Sequence, residues 1–427
     1  MDPPGRLYYP TLSDTIEDIE KYRPGGFHPV HLGDTFHGKY KVLHKLGAGG
    51  FSTTWLARDA VEERYVALKI LRSDETARRN ELDMLRRLAE LQTNHPGKKH
   101  IRTLVDHFSI HGPNGEHICL VTEVAGPSLR DVYSAQNPSG CGYGQGSRRL
   151  RADIAQTILN QIAQTVDSLH SHRICHGDLT LSNVLLKLNS MDAWTEDELY
   201  HRLGMPVKVP LRLSSGEEHS GSGPLYAVEP AGLPDAAFLE NNILLVDFGK
   251  AFELDSPPQP KDIGVPSDYR APETILDLVY TPPSEAWSLA CLLYEVRAGQ
   301  RLFANLLGGP DEIVKQMVEM KGALPEPWWS LWDLRTDYFD ESGKPLQEWP
   351  DGTTWAIEYP IDEAIDDIGA YDDEEEGAVS GLCASMLEPC GAKVPGTEAE
   401  NMLELLKAVL RWTPEERVSI KQIYQHP

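Results

Sequence analysis

The feature that most limits how this chain can fold is a change in the spacing of its apolar residues near residue 125. Before that point the apolar runs are short and strand-like: "YKVLHKLG" (40–47), "FSTTWLARD" (51–59), "YVALKILR" (65–72) and "HICLVTEV" (117–124). One helical segment lies among them. Ser73 and Asp74 are good N-caps, and "ETARRNELDMLRRLAELQ" then places Leu82, Leu85 and Leu88 at helical spacing. From about residue 150 the long segments are helical, as in "DIAQTILNQIAQTVDSLHS", "SEAWSLACLLYEVRAG" and "ENMLELLKAVLRW". A strand-rich lobe followed by a helix-rich lobe is therefore predicted, an α+β architecture with its boundary at 124–128, next to Gly126-Pro127. Residues 1–25 read as an N-terminal extension, 26–124 as the first lobe and 125–427 as the second.

Two segments interrupt the second lobe. Residues 188–240 separate two short apolar strands, "NVLLK" and "NILLVDFG", which read as a hairpin, and "SSGEEHSGSGP" marks part of this insertion as mobile loop. Residues 361–376, "IDEAIDDIGAYDDEEE", form an acidic run expected to be a solvated loop. Sixty-five acidic against 40 basic residues give a net charge of −25, which argues against nucleic acid or an anionic membrane as the main partner and favours a cationic one. No run nears the ~18 apolar residues of a membrane span, and "MDPPGRLYYP" has no secretory character. Six scattered cysteines (119, 141, 175, 291, 383, 390) suit reduced thiols, hence an intracellular protein of the cytoplasm, the nucleus or both.

Several short motifs then carry chemistry. In "LGAGGFSTTWLA", Gly47, Gly49 and Ser52 form a G-x-G-x-x-small pattern joining two strands, where glycines let backbone N–H groups approach phosphates. One strand later "VALK" ends at Lys69, whose ammonium can pair with α- and β-phosphates, with Glu81 on the following helix to hold it. In "HGDLTLSNVLL" (176–186), Asp178 can accept or orient the proton of an attacking hydroxyl. Asn183 and Asp247 of "DFG" offer hard oxygen ligands suited to Mg²⁺. "YRAPE" ends at Glu273, for which Arg417, far along the chain, is the predicted buried partner.

With these residues in order, the chain resembles the eukaryotic protein kinases, and among them the SR-protein kinases, over about residues 26–427. The entry "GFHPVHLGDTFHGKYKVLHKLGAGGFSTTWLARD", the hinge-like "HICLVTEVAGPSL" and the separation of Asn183 and Asp247 by 64 positions carry that likeness. The resemblance implies a bilobal fold and MgATP-dependent phosphorylation of serine or threonine in a protein substrate, expected to be Arg/Ser-rich, by a monomer. It also implies where ATP would sit: under Leu46, Gly47, Ala48, Gly49, Gly50, Phe51 and Ser52, beside Ala67, Lys69 and the gatekeeper Thr122. The adenine would lie against the backbone of Glu123 to Ala125. Asp311, Glu312 and Glu319 stand where the family has carboxylates that dock Arg-rich segments, and seven positions, about two helical turns, would put Glu312 and Glu319 on one face.

Four positions depart from the usual protein-kinase pattern, the first of them a departure that the SR-protein kinases share. Gly177 replaces the Arg that receives an activation-loop phosphate, and residues 247–273 contain only Ser256 and Ser267 as Ser/Thr sites, so activity without loop phosphorylation is expected. Thr180 replaces the catalytic-loop Lys, and Pro266 replaces the Thr that this Lys would bond. Losing one preorganised donor is worth about 10²–10³ in rate, so a typical turnover of roughly 1–100 s⁻¹ would become slow but measurable. Glu285 stands where the family braces the catalytic loop with Asp. Small-molecule kinases of the aminoglycoside and choline type share "HGDL…N" but lack "YRAPE". The rival of another class is a pseudokinase scaffold. The lost Lys favours it, and the survival of Lys69, Glu81, Asp178, Asn183 and Asp247 opposes it.

Overall fold

The computed structural model describes residues 6–11, 13, 15–76, 80–134, 149–216, 221–232, 234–305, 309–346, 356–370, 384–389 and 391–427. The architecture is α+β, divided into two compact units. The first comprises Met1–Gln92, Arg102–Gly126 and Leu186–Glu240; the second comprises Thr93–Ile101, Pro127–Leu185 and Asn241–Pro427.

A six-stranded antiparallel sheet dominates the first unit. Its strands are β1 (Thr35–Phe36), β2 (Tyr40–Ala48), β3 (Ser52–Asp59), β4 (Arg64–Leu71), β5 (Leu104–Gly112) and β6 (Gly115–Thr122), in the order β1-β2-β3-β4-β6-β5. Both faces are covered, which explains the near-continuous apolar runs of β4 and β6. Val42, Trp55, Ala57, Val66, Leu68, Ile70, Cys119 and Val121 pack in one core. Leu43, Leu56 and Tyr65 pack in a second core with Met191 and Leu199. Leu199 belongs to the helix Glu196–Leu203, started by a capping box between Thr195 and Glu198.

That second core revises the expected lobe assignment. The insertion 188–240 packs with the first unit rather than the second, and the N-terminal extension joins it: Tyr8, Ile19, Tyr22 and Phe27 share a core with Leu211, Leu213 and Ala227. The strands Lys208–Pro210 and Tyr226–Val228 pair within the insertion. These elements flank the stretch 214–224 expected as mobile loop, of which residues 217–220 lie outside the described residues. The flanking strands Val184–Leu188 and Leu239–Leu245 do pair as the hairpin expected.

The second unit is helical. Ala152–Ser171 and Gly396–Val409 flank the helix Pro282–Ala298, in which every residue from Ser284 to Ala298 is buried. A helix covered on all sides forms the centre of its unit. The acidic run is partly a correction too: Ile361–Asp366 is helical and buries Ile361, Ala364 and Ile365, while 371–376 lie outside the described residues. Cys119, Cys175 and Cys291 are buried free thiols, and Cys141, Cys383 and Cys390 lie outside the described residues. Among the described residues no helix is long and apolar enough to cross a membrane.

Candidate active site

In the first unit, β2 and β3 run into the glycine-rich turn, with Gly47 opposite Thr54 and Ala48 opposite Thr53. The Gly49 N–H donates to the Ser52 carbonyl at 3.0 Å, closing a tight turn whose tip leaves Phe51 exposed. Arg72, just beyond β4, holds that tip: its guanidinium donates to the Gly50 carbonyl at 2.9 Å and its N–H to the Phe51 carbonyl at 2.9 Å. Nothing in the sequence marked Arg72 for this role.

Below the turn, the Lys69 ammonium donates to Glu81 Oε1 at 2.7 Å, and both side chains are largely shielded from solvent. The pair forms because Lys69 sits mid-strand on β4 while the helix Asn80–Glu90 buries Glu81 along with Leu82, Leu85 and Leu88. Ala67 lies in register with Thr122, and both are buried. The Thr122 hydroxyl accepts from Arg102 at 3.1 Å. Beyond β6, Glu123 and Ala125 are partly exposed, and the Gly126 N–H donates to the Leu186 carbonyl at 2.8 Å. A Cβ at residue 126 would crowd that carbonyl and Leu239, so glycine is required there by close approach.

The strand entering the turn carries a residue that sequence reasoning passed over. Lys45 is completely buried and forms an ion pair with Glu17 of the N-terminal extension, whose carboxylate also accepts from the Tyr22 hydroxyl. The Lys45 carbonyl accepts from the Ala231 N–H of the insertion at 2.8 Å. Both added segments therefore grip β2 two residues before Gly47.

In the second unit the loop 176–183 is fixed by its own backbone and by the strand before Asp247. His176 donates from Nε2 to the Val246 carbonyl at 2.9 Å and accepts the Asp178 N–H at Nδ1, 3.3 Å away. The Val246 N–H donates to the Asn183 carbonyl at 3.0 Å. The Asn183 amide donates to the Asp178 carbonyl at 2.8 Å and to its Oδ2 at 3.0 Å, which fixes the orientation of the side chain. Asp247 adopts the left-handed conformation, φ 63°, and accepts the Gly249 N–H at 3.4 Å, while Phe248 is buried edge-on against the His176 ring. Asp247 carboxylate and Asn183 amide oxygens form a hard donor set that fits Mg²⁺. Burial, aided by the Asp247 charge, raises the pKa of Asp178; His176, the Asn183 hydrogen bond and Lys250 oppose it. Thr180 is buried and begins the turn Leu181–Asn183, its carbonyl accepting the Asn183 N–H.

Glu285 braces this loop. Its Oε1 accepts the Gly177 N–H at 2.7 Å and its Oε2 lies 2.6 Å from His170 Nε2. Burial pushes its pKa up, but the His170 hydrogen bond and charge and the Gly177 N–H outweigh burial, so the carboxylate titrates below its usual range. Gly177 itself has φ 77°, and a Cβ there would overlap the Lys250 carbonyl. The missing Arg is thus excluded by the backbone: no side chain fits at 177. The expected structural pair is present as well, with Arg417 Nη1 and Nη2 donating to Glu273 at 2.6 and 2.7 Å.

The three acidic residues expected to dock substrate share the helix Pro310–Lys321. Asp311 accepts from the Trp332 indole at 3.0 Å. Glu319, with its side chain 9% exposed, pairs with Lys315 at 2.9 Å and accepts the Ile357 N–H at 2.9 Å. Internal partners thus compete for Asp311 and Glu319, a competition that helical spacing alone does not register.

Sequence comparison defines the class of protein. The protein kinase domain signature matches residues 40–198 and 234–427, and the chain belongs to the protein kinase family. The unmatched gap falls inside the insertion. Similar curated proteins include a serine/threonine protein kinase of Aspergillus fumigatus, 28% identical over 98% of this chain and 92% of that protein. The serine/threonine-protein kinase SRPK of Physarum polycephalum is 27% identical over 96% of this chain and 90% of its own length. Human SRSF protein kinase 3 is 37% identical over 40% of this chain and 29% of its own length. The chain is an SR-protein-kinase-like member of the family.

Proposed function

We propose that the protein transfers the γ-phosphate of ATP to serine, or threonine, of a protein substrate, with Mg²⁺ as the metal. The observation that carries this reading is the intact Lys69–Glu81 ion pair, which presents an ammonium suited to ATP phosphates. Lys69 neutralises the α- and β-phosphates while the glycine-turn N–H groups bind their oxygens, with the adenine against Glu123–Ala125. Asp178 takes the hydroxyl proton; its raised pKa, from burial, makes it a better acceptor than an ordinary carboxylate. Asn183 and Asp247 hold Mg²⁺, which when bound offsets the charge on the phosphates. Asp247→Ala is expected to abolish Mg²⁺-dependent nucleotide binding and turnover together; unchanged turnover in that variant would sink the metal assignment.

Activity without activation-loop phosphorylation belongs to this reading. Gly177 offers no cation for a phosphate, and the Glu285 bond to its N–H holds the loop instead. Bacterially expressed protein is expected to keep its turnover after phosphatase treatment, and a large loss would contradict this.

An Arg/Ser-rich substrate is supported by the names of the relatives and by the net charge of −25. Asp311, Glu312 and Glu319 of the helix Pro310–Lys321 are the carboxylates proposed to meet that substrate. The KM for an Arg/Ser-repeat peptide should rise several-fold between 50 and 200 mM salt at constant KM for ATP. A salt-independent peptide KM would remove electrostatic docking.

A further inference from the structure

The proposed chemistry leaves one charge unanswered. As the P–O bond between the γ-phosphorus and the β–γ bridging oxygen breaks and a bond from the substrate oxygen forms, negative charge spreads over the γ-phosphoryl oxygens. The hydroxyl proton passes to Asp178 and ADP leaves. Such a step is helped by a cation beside the base. From Asp178 to Asn183 the loop reads Asp-Leu-Thr-Leu-Ser-Asn, with no lysine or arginine.

Lys250 supplies one from the other side. It ends the turn Phe248–Lys250 that follows Asp247, and its carbonyl lies so close to Gly177 that no Cβ fits there. Its side-chain stem runs across Gly264, where a Cβ would overlap Cβ, Cγ and Cδ of Lys250. Gly177, directly before Asp178, makes room for the Lys250 carbonyl, and Gly264, two residues before Pro266, makes room for its side-chain stem. Its charge also acts on the Asp178 carboxylate.

We propose that Lys250 is the cation of phosphoryl transfer in this enzyme, reaching the γ-phosphoryl group from the segment after Asp247 in place of a residue on the loop 176–183. The Lys250 carbonyl lies against residue 177, three before Thr180, and its stem against residue 264, two before Pro266. The proposal rests on the protein-kinase reading above.

The test uses the full chain, MgATP and an Arg/Ser-repeat peptide. Lys250→Met keeps the apolar stem on Gly264 and removes the charge. It is expected to lower kcat about 10²–10³-fold while KM for ATP and the thermal midpoint stay near their wild-type values. Adding Thr180→Lys to Lys250→Met is expected to return at least about tenfold of the lost kcat. The proposal is overturned if Lys250→Met keeps kcat within about threefold of wild type, if its loss is matched by weaker MgATP binding or a lower midpoint, or if Thr180→Lys returns nothing. An active wild type with an unimpaired Lys250→Met variant refutes the role of Lys250 alone. A wild type no more active than Asp178→Ala, on peptide and in ATP hydrolysis, refutes the kinase reading and this inference with it.

Discussion

Replacing Arg417 by Met is expected to destabilise the protein by about 3–5 kcal/mol, since it leaves the Glu273 charge buried without its partner. All five guanidinium N–H groups are used. Nη1 and Nη2 bond both Glu273 oxygens and also the carbonyls of Pro283 (3.0 Å) and Trp412 (3.1 Å), and Nε bonds the Arg411 carbonyl at 2.9 Å. The Arg417 side chain is fully shielded, and its guanidinium carbon sits 5.1 Å from the centre of the Trp287 ring. Glu273 gains a third bond from the Ser284 hydroxyl at 2.7 Å. Arg417→Lys should recover little, because an ammonium cannot reproduce the fork. With total stability in the usual range of about 5–15 kcal/mol, either change should shift the urea midpoint markedly. A midpoint within experimental error of wild type would show that the pair contributes no net stability.

The second large effect lies at the far end of the chain. Glu17→Ala should cost about 3–5 kcal/mol by stranding the Lys45 ammonium in the core, where the Trp55 ring, 5.6 Å from the ammonium, is a weak substitute for a carboxylate. The companion variant Glu17→Leu with Lys45→Met should be close to wild type in stability, since removing both charges leaves neither unpaired. Because Lys45 leads into the glycine turn, Glu17→Ala should also raise KM for ATP. Equal losses in the single and double variants, measured by denaturant unfolding, would mean that packing rather than charge dominates there.

Much of this was legible in the sequence because the signals are local. β2, β3, β4 and β6 follow from runs of strand-forming residues, and Lys69, Glu81, Asp178, Asn183 and Asp247 sit at fixed offsets within short motifs. Arg417 was found because its partner motif, "YRAPE", is itself specific. What escaped was non-local. Lys45 looks like a surface lysine until Glu17 covers it, and Lys250 looks incidental until Gly177 and Gly264 make room for it. The helix at Ile361–Asp366 was hidden by its acidic exposed face, although Ile361, Ala364, Ile365 and Ile368 have helical spacing. The internal engagement of Glu319 escaped for a further reason: the Ile357 N–H reaches it from 38 positions away.

The central claim is that this is a working kinase. Its most direct test is transfer of label from γ-labelled ATP to an Arg/Ser-repeat peptide in Mg²⁺, followed by identification of the phosphorylated amino acid. Time-dependent phosphoserine is expected with the wild type, slower than the roughly 1–100 s⁻¹ typical of kinases if Lys250 only partly replaces a loop lysine, and no label above background with Asp178→Ala. Wild type and Asp178→Ala giving the same background signal, while both still bind MgATP, would contradict it and make the protein a pseudokinase.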